Sequence, residues 1–231
     1  MSRVFLFCAG LRRRPEKNRL ILQRVERLWP REVKMPIEQV TIERELYDHV
    51  HRFLSMDFNG VLARHTGAHP PQVFSDVVSK AGGEADGSWT RPDLAALAIV
   101  RGEFVPFLRA DLHTFEVKTA KGLDVQGAHE ASAQGRFGHY AWLVFQAVSR
   151  ADRTTALFDQ VLRSSVRLGV GVVTFKEPCD SNGWHVDAWP RRTATDDAVA
   201  DEFVASRFRR ETKNKIRKYL SGLKTGDNTD E

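Results

Sequence analysis

The chain has 231 residues, 42% hydrophobic and 28% charged, a balance that fills the core of one sizeable domain with extensions or of two small ones. No apolar run approaches the ~20 residues that span a bilayer, and the arginines of "MSRVFLFCAGLRRR" follow its greasy run where a signal peptide would place them first; the expectation is a cytoplasmic protein without a targeting segment or membrane partner. The net charge of +5 is uneven: residues 1–34 hold ten Lys/Arg against three Glu, and residues 207–218 hold seven against one, so basic ends flank a near-neutral middle, a distribution suited to a polyanion or simply to solvation.

Residues 11–28, "LRRRPEKNRLILQRVERL", read as a basic helix, and Pro30 and Pro36 interrupt regular structure after it. Residues 1–36 therefore form a basic N-terminal extension. In "PIEQVTIERELYDHVHRFL" the residues Ile42, Leu46, Val50 and Phe53 recur at helical spacing. "RPDLAALAIVRG" reads as a strand opening just after Pro92, and a second strand is expected at about 110–119. "VQGAHEASAQGRFG" reads as a helix, "YAWLVFQAV" as a buried strand, and "RTTALFDQVLRSSVRLG" as a helix stopping at Gly169. "VGVVTFKE" is another buried strand, and "GWHVDAWP" a short edge strand closed by Pro190. These elements define a core over residues 37–195. Residues 196–231 form a basic C-terminal helix and tail, with Val204, Phe208, Ile216, Leu220 and Leu223 along one face. The cations Arg207, Arg209, Arg210, Lys213, Lys215, Arg217 and Lys218 either track a phosphate backbone or are solvated around a packing face, and the apolar face favours packing.

An acid and a lysine one residue apart occur at Glu32/Lys34, Glu116/Lys118 and Glu211/Lys213. The first lies between prolines, and the third lies on a helix, where side chains at i and i+2 diverge by roughly 200°. The second lies on an expected strand, where i and i+2 share a face. If the strand after Asp93 pairs antiparallel with this one, Asp93 and Glu116 approach each other. Two carboxylates beside a lysine suit a hard divalent cation, which takes oxygen ligands. Other candidates lack partners: His129-Glu130 is followed by Ala133 where a metalloprotease histidine would stand, Cys179 and His185 have no further ligands at zinc spacing, and "GVGVVT" opens a strand, unlike a dinucleotide loop. His113, three residues before Glu116, belongs on the opposite face. Cys8 and Cys179 form no metal or redox motif and are expected to be reduced and structural.

The order helix, Asp-bearing strand, Glu-x-Lys strand, helix, strand, helix, strand resembles the PD-(D/E)XK nuclease superfamily, the restriction-endonuclease-like proteins, from about residue 38 to 195. The matching residues are Pro92-Asp93, Glu116-Val117-Lys118, the acid-bearing helix "ERELYDHV" and the strand entry "LGVGVVTF". The resemblance implies an α/β fold, a three-layer α/β/α sandwich with a mixed central sheet. It implies an Mg2+- or Mn2+-dependent endonuclease hydrolysing phosphodiester bonds, with DNA as the foremost substrate. Asp93, Glu116 and the main-chain carbonyl of Val117 would hold the metal, and Lys118 would position the attacking water or stabilise charge on the phosphate. Many relatives add an acid from the first helix; Glu43 lies nearer the apolar stripe than Glu45 and is preferred. A polar residue from the next helix is expected at Gln134, with Glu130 and Gln126 as rivals. The Gln-x-x-x-Tyr pattern of one exonuclease branch is absent, since Gly138 stands fourth after Gln134. Specific double-strand cutting would call for a homodimer, and a nuclease switched on by a partner protein is a further reading. The alternative is the same fold as a catalytically silent module binding nucleic acid or protein.

Overall fold

The computed structural model describes residues 42–66, 69–79, 91–102, 104–105, 107–147, 154–176 and 183–226. The basic helix expected at 11–28, the proline-flanked segment with Glu32 and Lys34, and both cysteines lie outside them. Among the described residues, six strands form one mixed sheet whose spatial order repeats the chain order.

Helix α1 (Glu43–Met56) buries Leu46, Val50, Phe53 and Leu54. Ile42, expected on the same stripe, is 57% exposed, because it is the N-cap residue preceding the first helical turn. After Asp57 the chain enters a second helix, α2 (Phe58–Thr66), and then strand β1 (Gln72–Val77); the sequence reading contained neither. Strands β2 (Leu94–Arg101) and β3 (Leu108–Lys118) form the expected antiparallel pair, with Leu94 opposite Phe115, and β1 adds antiparallel on the outer side of β2.

Two crossovers follow. Helix α3 (Val125–Gln134) leads to β4 (Tyr140–Gln146), parallel to β3; helix α4 (Ala156–Leu168) leads to β5 (Gly171–Phe175), parallel to β4. Each helix starts where a short side chain accepts from an otherwise unpaired N–H: Asp124 from Gly127, and Thr155 from Phe158. Gly169 ends α4 in the left-handed region, φ 76°, as its position after the last periodic residue predicts. Strand β6 (Trp184–Ala188) closes the far edge antiparallel to β5.

Alternation along the strands assigns the two faces. Leu94, Ala96, Phe115, Val117, Trp142 and Val144 pack with α1 and α2 in the largest apolar cluster. The intervening residues face the other way: Ala95, Ile99 and Leu112 meet the C-terminal helices, while Ala141 and Leu143 meet α3 and α4. Helices thus cover both faces of the sheet, and Glu116 and Lys118 belong to the α3 face.

The C-terminal segment is two helices, not one: α5 (Asp197–Arg207) and α6 (Arg210–Gly226), separated by an extended Phe208. The break has a physical cause. Asp76 of β1 is fully buried, and it takes both the backbone N–H of Arg209, at 2.7 Å, and that residue's Nε. Turning the chain to bring Arg209 to this carboxylate interrupts the helical ladder while keeping Val204, Phe208 and Ile216 buried. The segment therefore packs on the sheet, as its apolar face indicated. Among its cations, Arg209 serves this internal pair, Lys213 donates to the Ala205 carbonyl at 2.7 Å, and Arg217 donates to Asn214 at 3.2 Å.

Candidate active site

Asp93 immediately precedes β2. Its N–H donates to the Phe115 carbonyl at 3.0 Å, and its own carbonyl accepts from Val78 and Ser79 at 2.9 and 3.1 Å, so its backbone is fixed from both neighbouring strands. The side chain is equally constrained: Oδ2 accepts from the Val117 N–H at 2.9 Å, and Oδ1 accepts from the hydroxyl of Tyr47 on α1. Where an antiparallel residue's N–H faces a neighbour, its carbonyl faces the same side. The Val117 carbonyl accordingly lies along the edge of β3 that meets the Asp93 carboxylate.

Glu116 and Lys118 stand side by side at the end of β3, as their spacing requires. Lys118 Nζ lies 2.8 Å from Glu116 Oε1, 2.7 Å from Glu130 Oε2 on α3, and 3.7 Å from Glu43 Oε1 on α1. The other Glu116 oxygen accepts from Gln134 Nε2 at 2.5 Å. The two rivals of Gln134 are also present, one step removed: Glu130 holds Lys118, and Gln126 donates to Glu130 at 2.8 Å. Of the two acids at the start of α1, Glu43 faces the cluster and Glu45 is exposed. All the expected side chains therefore converge.

Tyr47 was missed. Its signal was present: it is four residues after Glu43, hence on the same helical face. A tyrosine hydroxyl carries little weight in a search for carboxylates and cations.

The cluster gathers four carboxylates around one ammonium. Asp93 and Glu116 are each 8% exposed, too little for water to solvate two neighbouring anions well. Burial, and then the adjacent Asp93, push the Glu116 carboxyl up to about 8, against the opposing pull of Lys118 and Gln134. Burial likewise pushes Asp93 up to about 6, although the Tyr47 hydroxyl, the Val117 N–H and Lys118 pull it down. Burial disfavours the Lys118 ammonium, but its hydrogen bonds to Glu116 and Glu130 outweigh that and hold its pKa above the ordinary lysine range. Burial acts upward on Glu130, yet Lys118 and Gln126 leave it below the ordinary carboxylate value. The lysine stays charged, one positive charge among four carboxylates.

Among the described residues, no group of three or more His, Cys, Asp and Glu side chains is arranged to hold a metal ion. The notch provides two carboxylates and a backbone carbonyl, and it has one further oxygen available: Gln134 Oε1 is buried and meets no donor. Such a mixed oxygen set fits a partly hydrated Mg2+ or Mn2+, and does not amount to an all-protein cage. A divalent cation there would add to the positive charge of Lys118 beside Asp93 and Glu116.

His113 lies on the opposite face, as alternation indicated. It is buried against Phe58, with ring centroids 5.3 Å apart, and burial lowers its pKa to about 3. His129, Glu211 and Lys213 take no part in the cluster.

No protein-family model matches the chain, and no curated protein matches it. Among solved structures, a protein of unknown function from Silicibacter pomeroyi is similar over 82% of this chain and 96% of its own, with 12% sequence identity and a TM-score of 0.39. At that distance it carries no argument about fold or function. Among the described residues, no helix is long and apolar enough to cross a membrane.

Proposed function

We propose that the protein is an Mg2+- or Mn2+-dependent nuclease hydrolysing phosphodiester bonds in DNA, on a restriction-endonuclease-like three-layer core. The observation that carries this reading is the meeting, at one end of β2 and β3, of Asp93, Glu116 and Lys118, with the unpaired Gln134 Oε1 beside Glu116. The topology agrees with the element order that carried the resemblance: an Asp-bearing strand antiparallel to the Glu-x-Lys strand, then a helix, then a strand parallel to the Glu-x-Lys strand.

In this reading Asp93, Glu116 and the Val117 carbonyl hold the cation. When bound, the cation lowers the pKa of a water molecule and offsets negative charge on the phosphate. The protein's residues perform the positioning. Tyr47 and the Val117 N–H orient Asp93; Gln134 orients Glu116; Glu130 and Glu43 hold Lys118 as an ammonium at the phosphate. Lys118 then stabilises charge as it builds on the phosphoryl oxygens, in a setting with little water to reorganise. Glu116 would have to be ionised to hold the cation, losing the proton that burial favours there.

The test is cleavage of double- and single-stranded DNA with Mg2+ or Mn2+, comparing wild type with Glu116→Gln and Lys118→Ala. The expected result is a loss of at least about a hundredfold in each variant, the scale of removing a group that stabilises transition-state charge. Equal cleavage by all three proteins removes the assignment.

One observation favours a second reading, a catalytically silent binding module. Lys118 already has a carboxylate at 2.8 Å and another at 2.7 Å, an arrangement that also serves as a structural ion-pair network. That reading is distinguished by salt-sensitive DNA binding unchanged in Lys118→Ala, with no cleavage by wild type.

A further inference from the structure

A second concave site occupies the opposite face and opposite end of the sheet. It is a cavity of about 240 Å³ beneath α2, reached between the starts of β3 and β4 and the segment after β6. Its walls are aromatic. Trp142 and Trp189 meet edge to face with centroids 5.7 Å apart, His65 stacks on the outer side of Trp189 at 3.6 Å, and Tyr140 stacks on His113 at 4.8 Å.

Its polar groups are built, not incidental. Asp111 is 3% exposed, and its two oxygens take Arg192 Nε at 3.0 Å and Arg109 Nε at 2.8 Å. One buried carboxylate thus orients two guanidiniums and leaves a net charge of +1. Among the described residues neither arginine meets another acceptor, so their Nη donors are available. The third group is His113, which is 2% exposed. Its Nδ1 accepts from Trp142 Nε1 at 3.0 Å, which puts the ring proton on Nε2, and no acceptor meets that N–H among the described residues.

We propose that this cavity binds a heteroaromatic anion of nucleotide size. Its ring lies between Tyr140 and Trp189, an acceptor on the ring edge takes the His113 Nε2–H, and its phosphate accepts from the Nη groups of Arg109 and Arg192. The aromatic walls select a flat ring. The fixed guanidinium pair selects a phosphate. The ligand is either a free mononucleotide or an unpaired nucleotide of a strand. An adjoining cavity of about 390 Å³, lined by Arg64, Trp184 and His185, shares the His65–Trp189 wall and gives a strand somewhere to continue.

The experiment uses the full chain in EDTA, so that metal-dependent chemistry plays no part. The four nucleoside 5′-monophosphates, inorganic phosphate and a short single-stranded oligonucleotide are titrated by calorimetry and by 1H–15N spectra of the indole N–H groups. The expected result is saturable binding of a monophosphate or the oligonucleotide, with shifts at Trp142 and Trp189 and phosphate alone at least about tenfold weaker. Arg192→Gln should weaken binding about tenfold, the scale of one lost charge-assisted hydrogen bond. Val100→Phe fills the cavity beside Arg109, its cross-strand partner, and should abolish binding. Tighter binding of the oligonucleotide identifies a strand as the source, and tighter binding of the monophosphate identifies a free nucleotide. The proposal is overturned if neither saturates, if the shifts fall at other tryptophans, or if folded Arg192→Gln and Val100→Phe bind as wild type does. Glu116→Gln should bind unchanged; loss there would move the ligand to the carboxylate cluster and equally overturn the proposal.

Discussion

At the residue scale, Tyr47 governs one of the two buried acids of the cluster. Burial pushes the Asp93 carboxyl up, and the Tyr47 hydroxyl bond pulls it down. Tyr47→Phe removes that bond and keeps the ring, so the Asp93 pKa rises further. In the nuclease reading the acidic limb of the pH–rate profile then moves to higher pH, while stability falls by about 2 kcal/mol, the scale of one charge-assisted bond to a buried carboxylate. A pH–rate profile of the variant superimposing on wild type would deny Asp93 its role. His113 gives a second, independent prediction. Its folded pKa, about 3, lies below the ordinary 6.5, so between those values the unfolded chain binds the proton more readily. Stability contributed by keeping His113 neutral is therefore present above pH 6.5 and is lost as pH falls toward 3. Denaturant midpoints measured across this range should fall in wild type and flatten in His113→Gln, which can still accept from Trp142.

Among the elements, the break between α5 and α6 rests on Arg209. Arg209→Ala leaves Asp76 buried with backbone donors alone, and one lost charge-assisted bond to a buried carboxylate costs about 2 kcal/mol. Chemical denaturation should show that loss; a change within error would mean the helix break has another cause. The same region shows why part of the fold was hard to read. β2, β4 and β5 are dominated by apolar runs, and α4 is announced by a clear period and a terminal glycine, so these elements were legible. β1 reads "QVFSDV", and its buried Ser75 and Asp76 look like solvent-facing residues until their partners, Ser55 and Arg209, are known. α2 begins "FNG", which reads as a turn. The α5–α6 break contains neither Gly nor Pro; it is imposed by a carboxylate 133 residues away in the chain, beyond the reach of any local pattern. The cluster itself was more legible than the fold around it, because strand alternation alone brings Glu116 and Lys118 together. Tyr47 was not, since its importance comes from the acid it touches.

For the molecule as a whole, a cation at Asp93 and Glu116, as the nuclease reading requires, would link binding to folding. A cation held only by the native state stabilises it by about 2.7 kcal/mol at a hundred times its dissociation constant. Mg2+ or Mn2+ should therefore raise the melting temperature of wild type and leave Asp93→Asn unchanged. Because the cation competes with the protons on Asp93, near 6, and Glu116, near 8, the rise should grow as pH increases from 6 to 8. A rise of equal size in Asp93→Asn would place the ion elsewhere on the surface.

A sheet laid down in chain order has a consequence for biosynthesis. Each strand leaving the ribosome can dock on the rim formed by its predecessor, and none has to be threaded between two already paired. The Asp76–Arg209 clasp is the exception, because it joins the first of the described strands to a helix junction that follows the last of them. Until that junction emerges, the outermost strand carries a bare carboxylate with no counter-ion. The nascent sheet thus has one ragged margin, sealed only when synthesis has passed residue 209.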